Sequence, residues 1–334
     1  MIREAVVVAH PNVALSKYWG KRDGAGNVPA VPSLSVTLSG LTTRTRLRWD
    51  AGLADHRFVL GGAVQARGQA PRVFALLDEV RASLPGGTGG AAFADVETRN
   101  DFPTASGLAS SASGFAALAL AATRAAGLEW DVTRIADLAR RGSASAARSL
   151  FGGFVELDGT AVHPVAPADH LPLVVLVAVT TEAAKATGST DGMRITMERS
   201  PYARAWLETA PHLHEELRAA LLARDFDGVG RLAEASAMAM HACALGAGLV
   251  YWSGATIEAL GTVRTLRGLG VGAYATIDAG PHVKVLVRPG DAAAARASLE
   301  RTPGVLRVLE ARPGEGARAV ASEPPRRVEG QATP

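Results

Sequence analysis

The order of elements in this sequence predicts an α+β protein with two lobes. Three observations carry that prediction. Strand-like segments lead each half of the chain. Amphipathic helices are interspersed among them without the regular strand–helix alternation of a doubly wound sheet. The length of 334 residues is also more than one hydrophobic core usually serves.

Each element rests on its own pattern. Residues 6–9 form a short apolar strand, and residues 34–38 and 43–49 alternate with period two. In the last of these, Arg44, Arg46 and Arg48 face one side, while Thr45, Leu47 and Trp49 face the other. Residues 71–84 predict a helix, with Val73, Leu76, Leu77, Val80 and Leu84 on one face and Pro71 suited to its first turn. A strand over 92–97 leads into a loop of small residues and a helix over 115–126. A shorter helix over 132–141 and a strand over 154–157 complete the first half. The second half opens with a buried strand at 173–179. Helices follow at 190–197, 202–223, 228–245 and 256–266, the last stopped by Gly268 and Gly270. Strands at 272–277 and 283–287, a helix at 291–299 and a strand at 305–309 close it. The Gly-, Pro-, Arg- and Glu-rich residues 322–334 predict a disordered tail.

Composition narrows the function classes. The net charge of +3 is close to balance, and no basic run is interleaved with aromatics, which argues against a nucleic-acid partner. Cys243 is the only cysteine, so there is no intramolecular disulfide and no Cys-based zinc site; its apolar neighbours predict a buried side chain. The Val6-Val7-Val8 run is too short for a signal peptide, and no stretch of about 18 apolar residues suggests a membrane span. A cytoplasmic protein is the default expectation. His212, His214 and Glu215 lack a zinc-site spacing and read as helix surface, so no metal ligands are assigned to the protein.

Residues 100–115 say most about function: Asn100-Asp101-Phe102-Pro103-Thr104-Ala105-Ser106-Gly107-Leu108-Ala109-Ser110-Ser111-Ala112-Ser113-Gly114-Phe115. Gly107 lets the backbone approach a ligand, and the first turn of the following helix carries unpaired N–H groups and a positive dipole end. Such a loop cradles phosphate, although no Gly-Lys-Ser/Thr follows to make it a Walker loop. Small-residue content alone fits an ordinary Ala-rich helix cap equally well.

The order of residues adds a resemblance. Pro103-x-x-x-Gly107-Leu108-Ala109-Ser110-Ser111 resembles the ATP-binding motif of the GHMP superfamily of small-molecule kinases, and the longer run from Asp101 to Phe115 resembles its diphosphomevalonate decarboxylase branch. Four further segments carry the likeness. Asn12 to Asp23 (Asn-Val-Ala-Leu-Ser-Lys-Tyr-Trp-Gly-Lys-Arg-Asp) resembles the branch's N-terminal signature, with Ser16 standing where an aliphatic residue is usual. Gly142-Ser143-Ala144-Ser145-Ala146-Ala147-Arg148-Ser149 is similar to Gly-Ser-Gly-Ser-Ala-Cys-Arg-Ser. Asp278-Ala279-Gly280-Pro281-His282 is similar to Asp-Ala-Gly-Pro-Asn. Ser189-Thr190-Asp191-Gly192-Met193 is similar to Ser-Ser-Thr-x-Gly-Met, with Gly188 at the first position.

The resemblance implies a GHMP-type fold: an S5-like lobe over residues 1–170, a ferredoxin-like lobe over 171–321, and a site in the cleft between. It implies ATP-dependent decarboxylation of 5-diphosphomevalonate, with ATP and Mg²⁺ as cofactors, in a homodimer. By the same carry-over, Asp278 meets the C3 hydroxyl, Lys17 stands beside it, and Arg148 holds the carboxylate that leaves. Tyr18, Trp19, Gly20, Lys21, Arg72, Ser143, Ser145, Ser189, Thr190 and Met193 hold the rest of the substrate. Pro103, Ser106, Gly107, Leu108, Ala109, Ser110 and Ser111 hold ATP. Without the resemblance, Asp278 reads as a turn former, Arg148 and Arg72 as surface arginines, and Lys17 to Lys21 as a basic turn over packed aromatics. Two rivals are a relative acting on 5-phosphomevalonate or mevalonate, suggested by Gly188 and the altered 246–249 loop, and a non-catalytic ligand-binding member. The second would have lost Asp278, Lys17 or the phosphate loop, and all are present.

Overall fold

The computed structural model describes residues 4–22, 27–84, 92–102, 110–183 and 186–321. The chain runs β1 (Glu4–Ala9), β2 (Asn12–Ala14), β3 (Ser33–Ser39), β4 (Thr43–Asp50), β5 (Arg57–Leu60), β6 (Ala63–Gln65), α1 (Pro71–Ala82), β7 (Phe93–Asn100), α2 (Ser110–Ala125), α3 (Val132–Gly142), α4 (Ala146–Ser149), β8 (Phe154–Asp158) and β9 (Ala161–Ala166). It continues with β10 (Val174–Val179), α5 (Ser189–Arg199), α6 (Ala203–Leu222), α7 (Phe226–Gly246), α8 (Gly254–Gly268), β11 (Ala273–Ile277), β12 (Val283–Val287), α9 (Ala292–Glu300), β13 (Arg307–Pro313) and β14 (Arg318–Val320).

Two sheets organise these elements among the described residues. The first has the order β14-β1-β4-β7-β5-β6, and the second β11-β12-β10-β13-β3-β8-β9, with β2 added beside β3. The alternation read in β4 is observed: Thr45, Leu47 and Trp49 are buried while the three arginines are half-buried on the other face. Leu47 and Trp49 pack with α1, α2 and α3 in one core that includes Phe74, Leu77, Ala116 and Ile135. In β10 both faces are buried, which is why the segment reads as an unbroken apolar run. Val175, Val177 and Val179 enter a core with Leu217, Leu221 and Val229 of α6 and α7. The alternate residues Val174, Leu176 and Ala178 enter another with Val263 and Leu266 of α8 and Ala295 and Leu299 of α9.

Both sheets join early and late parts of the chain. β14 pairs with β1 through Val6↔Val320, and β13 pairs with β3 through Arg312↔Ser39. A small fourth core of Trp19, Met193, Trp206, Met240, Cys243 and Tyr251 lies beneath the segment that follows β2. Cys243 is buried, as its neighbours predict.

The elements differ from the sequence reading at several points. Helix α2 begins at Ser110 rather than 115, because a first turn of Ser and Ala carries no apolar periodicity to mark it. Strand β13 begins at Arg307 and continues to Pro313, using its far end to reach β3. Strands β2, β5, β6, β9 and β14 are short or half-exposed and leave little period-two signal. The expected tail, 322–334, lies outside the described residues.

Candidate active site

Asp278 is the first residue after β11, at the start of the turn into β12. Two ammonium groups hold its carboxylate: Lys17 Nζ lies 2.7 Å from Oδ1 and Lys284 Nζ 3.1 Å from Oδ2. Each lysine reaches it from a different element. Strand β2 pairs with β3 and delivers Lys17 just beyond its end, where the Lys17 N–H donates to Ser236 Oγ of α7 and Nζ donates also to the Ala14 carbonyl. Lys284 comes from the middle of β12, opposite Thr276 of β11 and Val177 of β10. The lysine side chains are 1% and 2% exposed and that of Asp278 26%, so the carboxylate is the member of the trio open to a ligand. Burial acts to raise the Asp278 carboxyl, but Lys17 and Lys284 outweigh it and hold the group well below the usual carboxylate range. Burial lowers the Lys17 ammonium, with Asp278 opposing.

Arg148 lies on the one-turn helix α4 and is 2% exposed. Its Nη1 donates to Ser33 Oγ and its Nη2 to Asn12 Oδ1 at 3.5 Å, while Nε has no partner. Asn12 is itself fixed, because its Nδ2 donates to the Ser145 carbonyl and to Ser149 Oγ. Burial lowers the guanidinium to about 10, with Asp278 opposing, so it remains charged at neutral pH. A buried arginine with an unused N–H suits an incoming carboxylate or phosphate. A line of hydroxyls runs outward from here: Ser145 to Ser143 at 3.3 Å, then Ser143 to Ser111 in the first turn of α2 at 3.3 Å. Ser113 points elsewhere, bonding to Thr43 at 2.6 Å inside the core.

A second basic cluster stands at the other end of the same segment. Lys21 Nζ donates to Thr190 Oγ1 at 3.1 Å and to Asn27 Oδ1 at 2.7 Å. Asn27 has φ of 57° and is braced by its Nδ2, which donates to the carbonyls of Arg140 and Arg141. Arg72 Nη1 donates to the Gly142 carbonyl at 2.9 Å, and its charge, after burial, lowers the Lys21 ammonium. Ser189 and Thr190 open α5, whose N-cap Gly188 makes no side-chain cap bond. The Tyr18 hydroxyl donates to the Asn27 carbonyl at 3.4 Å. Gly20 has φ of +101°, and a Cβ there would come within 3.2 Å of both Ala30 and Met197. Trp19 and Met193 are buried beneath this cluster, with Trp19 edge-on to Tyr251.

Of the site residues named from sequence, the structure gathers Lys17, Arg148 and Asp278 at one pole, with Ser143 and Ser145 leading away from it. Lys21, Arg72 and Thr190 lie at the other pole. Pro103, Ser106, Gly107, Leu108 and Ala109 lie outside the described residues, and Ser110 and Ser111 begin α2. Sequence reading missed Lys284, Asn12, Ser33, Asn27 and Ser236. Lys284 alone left a signal, as the single charge within the apolar strand Val283–Val287. His214 needs correction: it is 3% exposed rather than surface, and its Nδ1 lies 2.9 Å from Ser16 Oγ. Ser16 Oγ also accepts the Leu34 N–H, so this unusual serine has buried partners. Among the described residues, no group of three or more His, Cys, Asp or Glu side chains could hold a metal ion, and no helix is long and apolar enough to cross a membrane.

Comparison with known proteins agrees in both halves. The model for the diphosphomevalonate decarboxylase-like N-terminal domain matches residues 9–163, and that for the mevalonate 5-diphosphate decarboxylase C-terminal domain matches 175–305. Candida albicans diphosphomevalonate decarboxylase is 34% identical over 303 residues, covering 84% of this chain and 83% of the relative. The structure of MDDEF in complex with MVAPP, AMPPCP and magnesium has a TM-score of 0.88 at 35% identity, covering 96% of this chain and 100% of that one. Mevalonate diphosphate decarboxylase from Staphylococcus aureus has a TM-score of 0.89 at 30% identity, covering 96% and 99%. With a two-lobed α+β fold of the GHMP type and matches spanning both halves, the chain belongs to the diphosphomevalonate decarboxylase family.

Proposed function

We propose that this protein catalyses ATP-dependent decarboxylation of (R)-5-diphosphomevalonate to isopentenyl diphosphate, with release of ADP, phosphate and carbon dioxide. One observation carries the reading: an accessible carboxylate, Asp278, held between two buried ammonium groups. In this reading the C3 hydroxyl of the substrate bonds to Asp278, its carboxylate to Arg148, and its diphosphate to Lys21, Arg72, Ser189 and Thr190, with Tyr18, Trp19, Gly20, Met193, Ser143 and Ser145 shaping the space between. A tertiary hydroxyl is a poor leaving group, so it first attacks the γ-phosphorus of ATP and becomes a phosphate ester. Departure of that phosphate with its bonding pair leaves C3 electron-deficient. The bond from C2 to the carboxylate then breaks, and its electron pair forms the double bond. Asp278 is a weak base between its two cations, which suffices if the hydroxyl proton leaves late in a loose phosphoryl-transfer transition state. Lys17 offsets charge on the transferring group.

The N-terminus of α2 supplies N–H groups, with the hydroxyls of Ser110 and Ser111, to the nucleotide phosphates. Pro103, Ser106, Gly107, Leu108 and Ala109 are proposed to complete that cradle. Mg²⁺ would come with the nucleotide phosphates seated on Ser110 and Ser111, and would supply charge neutralisation during transfer. From the family resemblance we further propose lobes over residues 1–170 and 171–321, with β14 at the end of the second returning to pair with β1 of the first, a homodimer and a cytoplasmic location.

A monophosphate-specific relative is the second reading, favoured by Gly188, which gives α5 no hydroxyl cap. Lys21→Ala separates the two. For the diphosphate reading, this substitution is expected to raise KM more than it lowers kcat, because a contact far from C3 contributes equally to ground and transition states. Equal kcat/KM for mono- and diphosphate substrates, unchanged in Lys21→Ala, would favour the second reading.

A further inference from the structure

The connection between β11 and β12 consists of residues 278–282, and the catalytic carboxylate sits on its first residue. Such a loop needs anchors if Asp278 is to keep its position, and the structure supplies them at the far end. The Pro281 carbonyl accepts two hydroxyls, Thr256 Oγ1 at 2.7 Å and Thr180 Oγ1 at 3.2 Å. The Thr180 backbone N–H points to His282 Nδ1 at 3.2 Å. Thr180 directly follows β10, which pairs with β12 through Ala178↔Val283, so the anchor belongs to the sheet itself. An N–H can only donate, so Nδ1 must carry the lone pair and the proton of the neutral ring sits on Nε2. The imidazole is fully buried, and that Nε2 finds no partner. Burial, and after it the positive charge of Lys284 and Arg307, lowers the imidazole to about 4 and keeps it neutral. The ring therefore accepts the Thr180 N–H through Nδ1 while its Nε2–H goes unpaired, and the Thr180 hydroxyl lies 3.3 Å from the same Nδ1.

We propose that His282 is a positioning residue for the decarboxylation: its Nδ1 accepts the Thr180 N–H and thereby fixes the turn that presents Asp278. The inference rests on Asp278 being catalytic.

The test is a kinetic comparison of His282→Asn, His282→Gln and His282→Leu in the full chain, with thermal melting of each. His282→Asn, with its acceptor at the Nδ1 position, is expected to hold kcat within about threefold of the unsubstituted enzyme. His282→Gln places its acceptor one bond further out and His282→Leu has none. Both are expected to lose kcat at least about tenfold with the KM for ATP little changed, as a misplaced catalytic group costs rate rather than nucleotide binding. If His282→Leu fails to fold, the Asn and Gln variants alone decide, because they share polarity and differ in reach. Equal kcat in those two variants overturns the proposal. Absence of decarboxylation by the unsubstituted enzyme would instead overturn the reading of Asp278 on which it rests.

Discussion

Asp278→Asn is expected to lower kcat by about 10²–10⁴-fold, the range in which a positioned proton acceptor contributes. The amide keeps the shape of the side chain but cannot take the hydroxyl proton. The structure adds a consequence that the sequence does not suggest. Lys17 and Lys284 are both buried and share this carboxylate, so neutralising it leaves the two ammonium groups facing each other. Removing one partner of a buried ion pair typically costs about 3–5 kcal/mol, although Lys17, already lowered by burial, can shed its proton to relieve part of that. A lower melting temperature should therefore accompany the loss of turnover, and ATP binding should survive at temperatures where the variant is folded. The same geometry bears on pH. A carboxyl held so low stays ionised well below neutrality, so any acid limb in kcat/KM near pH 5–7 belongs to another group. Near-normal kcat in Asp278→Asn, measured below its melting temperature, would remove Asp278 from the mechanism.

Arg148→Lys is expected to lower kcat/KM by about 10²-fold despite keeping the charge. The guanidinium uses Nη1 on Ser33 and Nη2 on Asn12 in one planar frame, and its buried Nε has no partner. A lysine has three donors on a flexible stem and cannot serve Ser33, Asn12 and a substrate carboxylate in one plane. Displacement of about 1 Å in the group that will leave is enough for a loss of this size. The measurement is steady-state kinetics with both substrates varied. A variant with ordinary kcat and KM would show that a point charge suffices and that the fork is not used.

Much of this arrangement is legible in the sequence, for identifiable reasons. The alternation in β4 and the continuous apolar run of β10 are local signals, and burial on one face or two follows from them. The segment from Asn12 to Asp23, with Lys17 and Lys21 four residues apart, marks both poles of the site because one short stretch spans them. What escaped the sequence depends on contacts between distant segments. Lys284 has meaning only once the β11–β12 turn folds back and sets it beside Asp278, and Asn12 and Ser33 only once α4 brings Arg148 between them. For His214, helical spacing with exposed neighbours, His212 and Glu215, suggests a wet face, whereas Ser16 reaches it from about 200 residues away in sequence. The start of α2 leaves no sequence signal, because its first turn is built from Ser and Ala and carries no apolar stripe.

The most direct test of the central claim is to follow carbon dioxide and ADP together, with ATP and Mg²⁺, for mevalonate, its 5-phosphate and its 5-diphosphate side by side. Equal amounts of carbon dioxide and ADP are expected from the 5-diphosphate, at a kcat/KM well above the other two. ADP without carbon dioxide, or carbon dioxide released faster from the 5-phosphate than from the 5-diphosphate, would contradict it.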